Sequence, residues 1–486
     1  MSIDERVRSH TVGPQHVVAP AGRRRLNTPQ CMRLLGAACL VATIAVVVIC
    51  QVAVGNVRSG WNQIGHQMAP QVVSTTGVTF ALNDMDAQLA NILLVAYRGD
   101  LGVTRQQSLD IYESDRRTVN SNLQQAAVLA GTDPAAVERI RTVLDGLGRY
   151  EALAAQVILL ESQADPAVPG RPPAAALTLF RQAGDLMHDD LLPAVAALTE
   201  ANSAALDHTY DDRRGGITDG RLLLLLVGLI LIGVLVWLQV FLAHRMHRLI
   251  NPALLAATVI SAAVVIGGSA VLTHEAQHLT VAKKDAFDSI LVLTRARAVS
   301  YDANADESRY LLDPQRAARY ERAFLEKSSQ VVGMPGATIP TFDALYDDAV
   351  RSYRTDHDDL RFTGLLGTEF RNITFAGERA AAEATLTAFQ AYQRDDRRIR
   401  ALNTSGDLNA AIQLCTSYAP GGSNAAFSAY DKTLVQVTAI NQNAFDDAVM
   451  AGERDLRGWG LIPWGAGALV VLLVLAGLRP RLAEYR

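Results

Sequence analysis

Residues 34–54 read LLGAACLVATIAVVVICQVAV, a long run without a charged side chain. About 20 apolar residues in a helix are enough to cross about 30 Å of membrane hydrocarbon. Three further uncharged runs of similar length follow at residues 222–243, 252–272 and 459–478. The four tryptophans stand at or near the ends of these runs, where membrane–water interfaces favour them. The sequence therefore predicts four transmembrane helices.

The charges between these runs predict their orientation. The short segments are basic: residues 1–33 have a net charge of +4, and residues 244–251 and 479–486 have +2 each. The two long segments, residues 55–221 and 273–458, are acidic, with net charges of −7 and −5. Because short basic segments stay inside, both termini are predicted to be cytoplasmic and both long segments to lie outside. The predicted location is the cell membrane, in a multi-pass topology.

The long segments have the pattern of helices. Phe80, Asp84, Ala87, Asn91 and Leu94 recur at alternating steps of four and three, which is the period of an amphipathic helix. The first long segment predicts helices at about 56–98, 104–130, 134–163 and 173–213. Glycines at 55, 60, 215, 216 and 458 are expected to interrupt helices near the membrane surface. The fold class predicted is an all-α membrane protein with two extracytoplasmic up-down helical bundles.

The complete domain plan combines these predictions. In chain order it is a disordered basic cytoplasmic tail (1–33), transmembrane helix 1 (34–54), extracytoplasmic helical bundle 1 (55–221), transmembrane helix 2 (222–243), a cytoplasmic hairpin (244–251), transmembrane helix 3 (252–272), extracytoplasmic helical bundle 2 (273–458), transmembrane helix 4 (459–478) and a cytoplasmic tail (479–486).

Two short motifs occur in both halves of the chain and indicate a tandem duplication. The motif Asp84-x-Asp86-Ala87 is followed by Leu93-Leu94, and Asp302-x-Asn304-Ala305 is followed by Leu311-Leu312 at the same spacing. Later in each long segment comes Thr-x-x-Asn-x-x-Ala-x-Asp, first at 199–207 and again at 438–446. Two motifs in the same order are hard to ascribe to coincidence.

The repeated polar residues are the candidate binding positions. A polar side chain between packed helices either binds a ligand or partner, because buried charge needs a partner, or fixes the register of the bundle. Both interpretations stay open. The ligand- or partner-binding candidates are Asp84, Asn91, Asp302, Arg309, Thr199, Asn202, Thr438 and Asn441.

A five-residue segment after the third run matches a metalloprotease motif. His274-Glu275-Ala276-Gln277-His278 has two histidines one helical turn apart with a glutamate between them, as in zinc sites of the HExxH type. Its position directly beside a transmembrane run favours a polar collar at the membrane surface instead. His188, followed by Asp189 and Asp190, could also bind metal, but a solvated helix face is the expected role.

The remaining composition argues against catalysis and transport. The basic cytoplasmic segments are too short to fold into a catalytic domain, since isolated folds under about 40 residues need disulfides or metals. The four runs lack charged residues and histidine, which are the side chains that mark transport pathways in membranes. No enzyme activity and no cofactor are expected, and nucleic acid is not an expected partner. Membrane lipids are expected around the runs and at the basic tail.

The chain resembles known membrane sensors in its plan. A span, an outer helical bundle and a second span is similar to the sensory half of bacterial chemoreceptors and histidine kinases. From about residue 30 to 480, the doubled arrangement resembles more closely the GlnX-type membrane proteins of actinobacteria, with the two repeated motifs as its sequence basis. Those proteins are thought to relay amino-acid availability, sensed by a GlnH-type binding lipoprotein, toward the cytoplasmic kinase PknG. The resemblance implies aspartate or glutamate as the signal, bound by the lipoprotein.

The sequence thus predicts a non-enzymatic transmembrane sensor or adaptor. It would relay an extracytoplasmic signal, received through a GlnH-like binding protein, to a separate cytoplasmic kinase or adaptor. Two alternatives stay open: an envelope scaffold or assembly protein, and a membrane zinc metalloprotease that uses His274, Glu275 and His278. Association into a homo-oligomer also stays open.

Overall fold

The computed structural model describes residues 28–96, 101–131, 133–164, 168–246 and 251–483. Within these ranges the chain is almost entirely helical and contains no strand, which confirms the all-α fold class. Residues 1–27 of the predicted tail 1–33 lie outside the described ranges, and the remaining residues of that tail belong to the first helix. Parts of the predicted segments 244–251 and 479–486 also lie outside them.

The helices of the described ranges, in chain order, are α1 (Thr28–Gln63), π1 (Ile64–Met68), α2 (Ala69–Val95), α3 (Arg105–Ala130), α4 (Pro134–Ser162), α5 (Ala174–Leu186), π2 (Met187–Leu191), α6 (Leu192–Met246), α7 (Pro252–Thr280), π3 (Val281–Phe287), α8 (Asp288–Leu312), α9 (Ala317–Val331), α10 (Ile339–Thr355), α11 (Gly364–Asn372), α12 (Glu378–Thr404), α13 (Leu408–Thr416), α14 (Ser423–Asp455) and α15 (Ile462–Ala483).

Four helical stretches are long and apolar enough to cross a membrane, as the sequence predicts: Pro29–Val95, Ala174–His244, Pro252–Leu312 and Ile462–Pro480. The chain divides into two compact units, and one of them contains the most apolar parts of these four stretches. This unit comprises the residues up to Val48, Leu225–Ile266 and the chain from Ile462. Large apolar side chains on this unit are exposed, as expected of a surface that faces lipid.

Small residues bring the helices of this unit together. A Cβ atom on Gly467 would lie 2.5 Å from Cγ2 of Val47, and one on Gly228 would lie 2.4 Å from Cγ2 of Val265. Glycine at such contacts allows helix backbones to approach closely in a membrane. Asn251 adds a hydrogen bond from its Nδ2 to the carbonyl oxygen of Gly477, at 3.1 Å.

The second compact unit contains Ile49–Leu224 and Gly267–Leu461. Local capping explains several of its helix boundaries. Helix α3 begins with a capping box in which Thr104 and Gln107 exchange hydrogen bonds, and α4 begins with Asp133 as the cap and Pro134 in the first turn. Both helices begin and end within one residue of the predicted limits.

The two long segments pack together within this second unit. One hydrophobic core is formed mainly by α2–α6, but it also includes Leu311 and Leu312 of α8 and residues of α12 and α13. A second, aromatic-rich core is formed by α8–α12 and α14. The sequence predicts two bundles; the structure joins them along α2 and α8, each of which is buried over most of its surface. The apolar stripes in the sequence of α2 could not predict this joining, because the polar residues between the stripes are buried as well.

The predicted helix breaks at four glycines are wrong. Gly55 and Gly60 lie inside α1, and Gly215 and Gly216 lie inside α6. A glycine in a helix interior costs only about 1 kcal/mol, which the flanking residues offset. Gly458 does break the chain between α14 and α15, because it adopts a φ of +89°.

A π-helical turn stands at matching places in the two halves. Ile64–Met68 directly precedes α2, which carries the first Asp-x-[Asp/Asn]-Ala motif, and Val281–Phe287 directly precedes α8, which carries the second. π-Helical turns are rare. Their repetition gives structural support to the duplication that the motifs indicate.

Candidate functional site

Arg309 of α8 lies buried at the contact between α8 and α2, with 3% of its side chain exposed. Its Nε donates to Oδ2 of Asp86 at 3.1 Å, and its Nη2 donates to the same oxygen. Its Nη1 donates to Oδ1 of Asp302 at 3.0 Å and to Oδ1 of Asp306 at 2.6 Å. One guanidinium therefore binds three carboxylates, which offsets the large cost of burying its charge.

Lys327 and Tyr150 also belong to this group of side chains, and His188 lies at its side. Lys327 of α9 lies 2.7 Å from Oδ2 of Asp302 and 2.6 Å from Oδ2 of Asp306. Tyr150 of α4 donates its hydroxyl to Oδ1 of Asp86 at 3.1 Å. Four helices thus meet at one polar centre. We call it the Arg309 cluster; its members are Asp86, Tyr150, His188, Asp302, Asp306, Arg309 and Lys327.

His188 closes one side of the Arg309 cluster. Its Nε2 lies 4.0 Å from Oδ2 of Asp86 and 3.8 Å from Oδ1 of Asp302. Burial, and then the charge of Arg309, lowers the pKa of His188, so the imidazole is neutral near neutral pH. Burial alone would raise the pKa of Asp302, but the charges of Lys327 and Arg309 outweigh it and lower that pKa. Three carboxylates therefore face two permanent cations and a neutral imidazole.

The expectation of a solvated face around His188 is wrong for that residue. Asp189 and Asp190 are exposed, but only 26% of the His188 side chain is. His188 belongs to the π-helical turn Met187–Leu191. The extra residue in such a turn shifts the helical phase, and a sequence pattern read at the ordinary helical period does not anticipate this.

The structure brings three of the predicted site residues, Asn91, Asp302 and Arg309, to the α2–α8 contact. Asn91 accepts a hydrogen bond through Oδ1 from the hydroxyl of Ser308, at 2.8 Å. Asp84 is different: it accepts from Gln88 at 2.8 Å and pairs with Asp115 of α3. Asp84 therefore does not join its duplicate, Asp302, in the Arg309 cluster.

Asp84 and Asp115 form an acidic pair apart from the Arg309 cluster, with Asp115 buried and Asp84 partly buried. Burial, and then the neighbouring charge of Asp84, raises the pKa of Asp115 to about 9. Burial also raises the pKa of Asp84. Such a close pair holds one proton between its two carboxyl groups at neutral pH. A nearby cation, Arg297, is bound to Asp431 through hydrogen bonds of 2.5 and 2.9 Å.

The second repeated motif lies apart from the Arg309 cluster, and its two copies differ. In the second copy, Asn441 donates to Oε1 of Glu378 at 2.6 Å, and Thr438 donates to the carbonyl oxygen of Leu434 at 2.9 Å. In the first copy, Oγ1 of Thr199 and Nδ2 of Asn202 are buried and have no hydrogen-bond partner among the described residues. Oδ1 of Asn441 is also buried without a partner there, so the two copies differ mainly in the pairing of the threonine and of the asparagine Nδ2.

Glu369 lies beside the residues that Asn441 contacts. It is fully buried, and this burial raises its pKa to about 8, with a further upward contribution from Glu378. Glu378 accepts backbone hydrogen bonds from Thr374 and Phe375 at 2.7 and 2.9 Å. Asn441 thus helps to hold the start of α12 on α14, which is a structural role.

The HExxH segment does not have the geometry of a zinc site. Glu275 is fully buried and accepts a hydrogen bond from the indole of Trp61 at 2.8 Å. His278 and His274 lie 3.3 and 3.9 Å from Oδ2 of Asp455. Across the part of the chain that the structure describes, no group of three His, Cys, Asp or Glu residues is arranged to hold a metal ion. The segment ties α7 to α1 and α14.

Sequence reasoning missed several members of the Arg309 cluster. Asp86 stands within the first repeated motif, so a signal for it was present, yet Asp84 was preferred. Asp306 lies one helical turn before Arg309, a spacing typical of an ion pair on a helix. Lys327 and Tyr150 carry no such signal, because they reach the cluster from helices that are distant in sequence.

One comparison with known proteins bears on this region. A family model described as an actinobacterial sensor domain matches residues 60–211. The matched part contains Asp86, Tyr150 and His188 of the Arg309 cluster, and it supports a sensing role in an actinobacterial protein. No curated protein and no solved structure was found to match the chain.

Proposed function

We propose that this chain is a non-enzymatic membrane sensor. Its two long segments would lie outside the cytoplasm and receive a signal, and a separate cytoplasmic effector would read the resulting change. The similarity of residues 60–211 to a sensor domain supports the sensing part of the proposal. The charge distribution of the sequence supports the orientation.

The observation that carries the proposal is the Arg309 cluster. It fixes the register between α2 and α8, and each of these helices belongs to the same helical stretch as an apolar run, Pro29–Val95 and Pro252–Leu312. Buried ion networks are well suited to setting register between helices, because each alternative register leaves charges without partners. A signal that rearranges this contact would therefore have two discrete outcomes, as a switch requires.

The test measures coupling without knowledge of the signal. Val47→Cys and Gly467→Cys place two thiols on neighbouring apolar helices, since a Cβ on Gly467 would lie 3.9 Å from that of Val47, within the range of disulfides. The rate of oxidative crosslinking is measured in membranes, in the presence and absence of Arg309→Met. A changed rate is expected. An unchanged rate would count against relay from α2 and α8 to the spans.

Arg394→Met is the matched control. Arg394 binds Asp347 on the surface, with 56% of its side chain exposed, and its loss should leave the crosslinking rate as in the parent. If both substitutions change the rate equally, the effect is general destabilisation and not relay.

The finer assignment comes from the resemblance to GlnX-type proteins. It proposes a GlnH-like binding lipoprotein as the outer partner, amino-acid availability as the signal and a kinase such as PknG as the effector. Isolation of the intact chain in mild detergent, followed by identification of bound proteins, tests this directly. Recovery of envelope-assembly proteins alone would favour the scaffold alternative.

A further inference from the structure

A cavity of about 610 Å³ lies between α2, α6, α8, α9 and α11. Its volume is in the range of small-molecule sites in proteins. It belongs to neither the Arg309 cluster nor the Asp84–Asp115 pair. Part of its wall is apolar and comes from Ala196, Ala298, Val299 and Leu365. This wall can accommodate the carbon skeleton of a ligand.

One hydroxyl group in the wall has no partner. Thr199 is 6% exposed, and its Oγ1 makes no hydrogen bond with any described residue. A threonine in a helix commonly donates to a carbonyl oxygen one turn earlier, as Thr438 does in the duplicate position. An unsatisfied buried hydroxyl costs about 1–3 kcal/mol. This oxygen is almost inaccessible to solvent, so it lies behind the cavity surface, and other atoms of Thr199 form the wall.

The charges around the cavity favour an anion. Arg295, Arg371 and Glu200 are its ionised lining residues, so the net charge is +1. Arg371 is exposed and makes no hydrogen bond and no ion pair through its side chain with another residue in the described ranges. Arg295 contacts Glu200 at 3.3 Å, but both side chains are well exposed, so this pair contributes little and can give way to a ligand.

Helix α11 adds to this preference. Its first residue, Gly364, lies in the cavity wall, and the N-cap Thr363 makes no capping hydrogen bond. The amino end of a helix carries a partial positive charge. Gly364 has a φ of +79°, and an added Cβ would lie 2.6 Å from the carbonyl oxygen of Gln330, so a side chain cannot fill this place.

We propose that this cavity binds a small organic carboxylate. Arg371, with Arg295, pairs with the carboxylate, and the apolar wall contacts the carbon chain. The proposal rests on the proposed sensor function, in which the cavity is the place where the signal binds. It assigns the signal to this chain itself and not to a binding partner.

The first test measures the charge preference of the cavity. Thr79→Cys places a reporter thiol in the wall of the full-length protein in detergent, with Cys31 replaced by alanine, since Cys39, Cys50 and Cys415 are buried. Modification rates are measured at low salt with anionic 2-sulfonatoethyl and cationic 2-(trimethylammonium)ethyl methanethiosulfonate, each normalised to free cysteine. We expect the anionic reagent to be favoured, and Arg371→Gln to reduce this preference about tenfold.

A reporter in a second cavity is the matched control. Ser74 lines a cavity of about 430 Å³ whose one charged lining residue is Asp446. Ser74→Cys should favour the cationic reagent and should not respond to Arg371→Gln. If the two reporters show the same preference, or if Arg371→Gln changes neither ratio, the proposed anion site is wrong.

The second test measures binding itself. Sodium succinate and sodium benzoate should slow modification of the Thr79→Cys reporter, while succinamide and benzamide should not. Arg371→Gln should weaken this protection several-fold, and Arg394→Gln, which removes only a surface ion pair with Asp347, should leave it unchanged. Protection by neither carboxylate, or equal protection by the amides, would overturn the proposal.

These outcomes are separate from those of the relay experiment. A cavity that binds carboxylates, together with crosslinking that is insensitive to Arg309→Met, would retain the binding site and refute the relay. Crosslinking that responds to Arg309→Met, without protection of the Thr79→Cys reporter by carboxylates, would retain the relay and refute the binding site. Where both succeed, succinate should change the Val47–Gly467 crosslinking rate in the parent and not in Arg371→Gln.

Discussion

Replacement of Arg309 by methionine should strongly destabilise the protein. Arg309 makes four hydrogen bonds to three carboxylates, and its removal leaves Asp86, Asp302 and Asp306 with Lys327 as the one remaining permanent cation of the cluster. The loss of one partner from a buried ion pair costs about 3–5 kcal/mol. Since folded proteins are stable by about 5–15 kcal/mol, this is a large part of the total.

The assay is equilibrium unfolding of the full chain in detergent by guanidinium chloride, followed by far-ultraviolet circular dichroism. Arg394→Met serves as the reference, because its exposed pair with Asp347 should contribute less than about 1 kcal/mol. If Arg309→Met costs no more than Arg394→Met, the cluster does not hold α2 and α8 together, and the reasoning fails.

A double-mutant cycle sharpens this prediction. Asp86→Asn removes the carboxylate that Arg309 binds with two nitrogens. If the two side chains stabilise one another, the double variant Asp86→Asn/Arg309→Met should cost less than the sum of the single variants, by about 1–3 kcal/mol. Additive costs would show that each residue acts independently, and the cluster would then be a set of separate contacts.

Three further predictions concern other buried groups of the same unit. The pKa of Glu369 is raised from 4.5 to about 8, so Glu369 keeps its proton in the folded state at pH values where the unfolded chain has lost it. The contribution of Glu369 to folding stability should therefore fall by about 1.4 kcal/mol per pH unit between these values. Glu369→Gln should remove this contribution, as measured by guanidinium titrations at pH 5 and 8. Asp115, with a pKa raised from 3.8 to about 9, has the same sign, so Asp115→Asn should stabilise the protein at pH 8 more than at pH 5; an equal effect at both pH values would contradict the shared proton. A Cβ on Gly452 would lie 2.5 Å from the Trp61 ring, so Gly452→Ala should cost about 1–3 kcal/mol and alter tryptophan fluorescence, whereas Gly184→Ala, with nothing near its Cβ, should be neutral or stabilising.

The sequence predicts the helices well because local signals specify them. The apolar runs indicate the four spans, and Thr104, Gln107 and Asp133 mark the starts of α3 and α4 through capping. The Arg309 cluster could not be predicted in the same way. Its members come from five helical elements that are distant in sequence. Whether Asp84 or Asp86 faces the cluster depends on the helical phase of α2. The π-helical turn at Ile64–Met68 shifts this phase, and the residue pattern does not reveal the shift.

The difference between the two copies of the second motif bears on where a signal could bind. In the second copy, Asn441 Nδ2 donates to Glu378 and the Thr438 hydroxyl donates to the Leu434 carbonyl oxygen, while Oδ1 of Asn441 is buried without a partner among the described residues. In the first copy, polar atoms of Thr199, Asn202 and Ser203 are buried without a partner among the described residues, and other atoms of Thr199 form part of the wall of the cavity with the net positive lining. The second copy therefore joins α14 to the start of α12, whereas Thr199 of the first copy lies in the wall of the proposed carboxylate cavity, a difference that the shared motif in the sequence does not express.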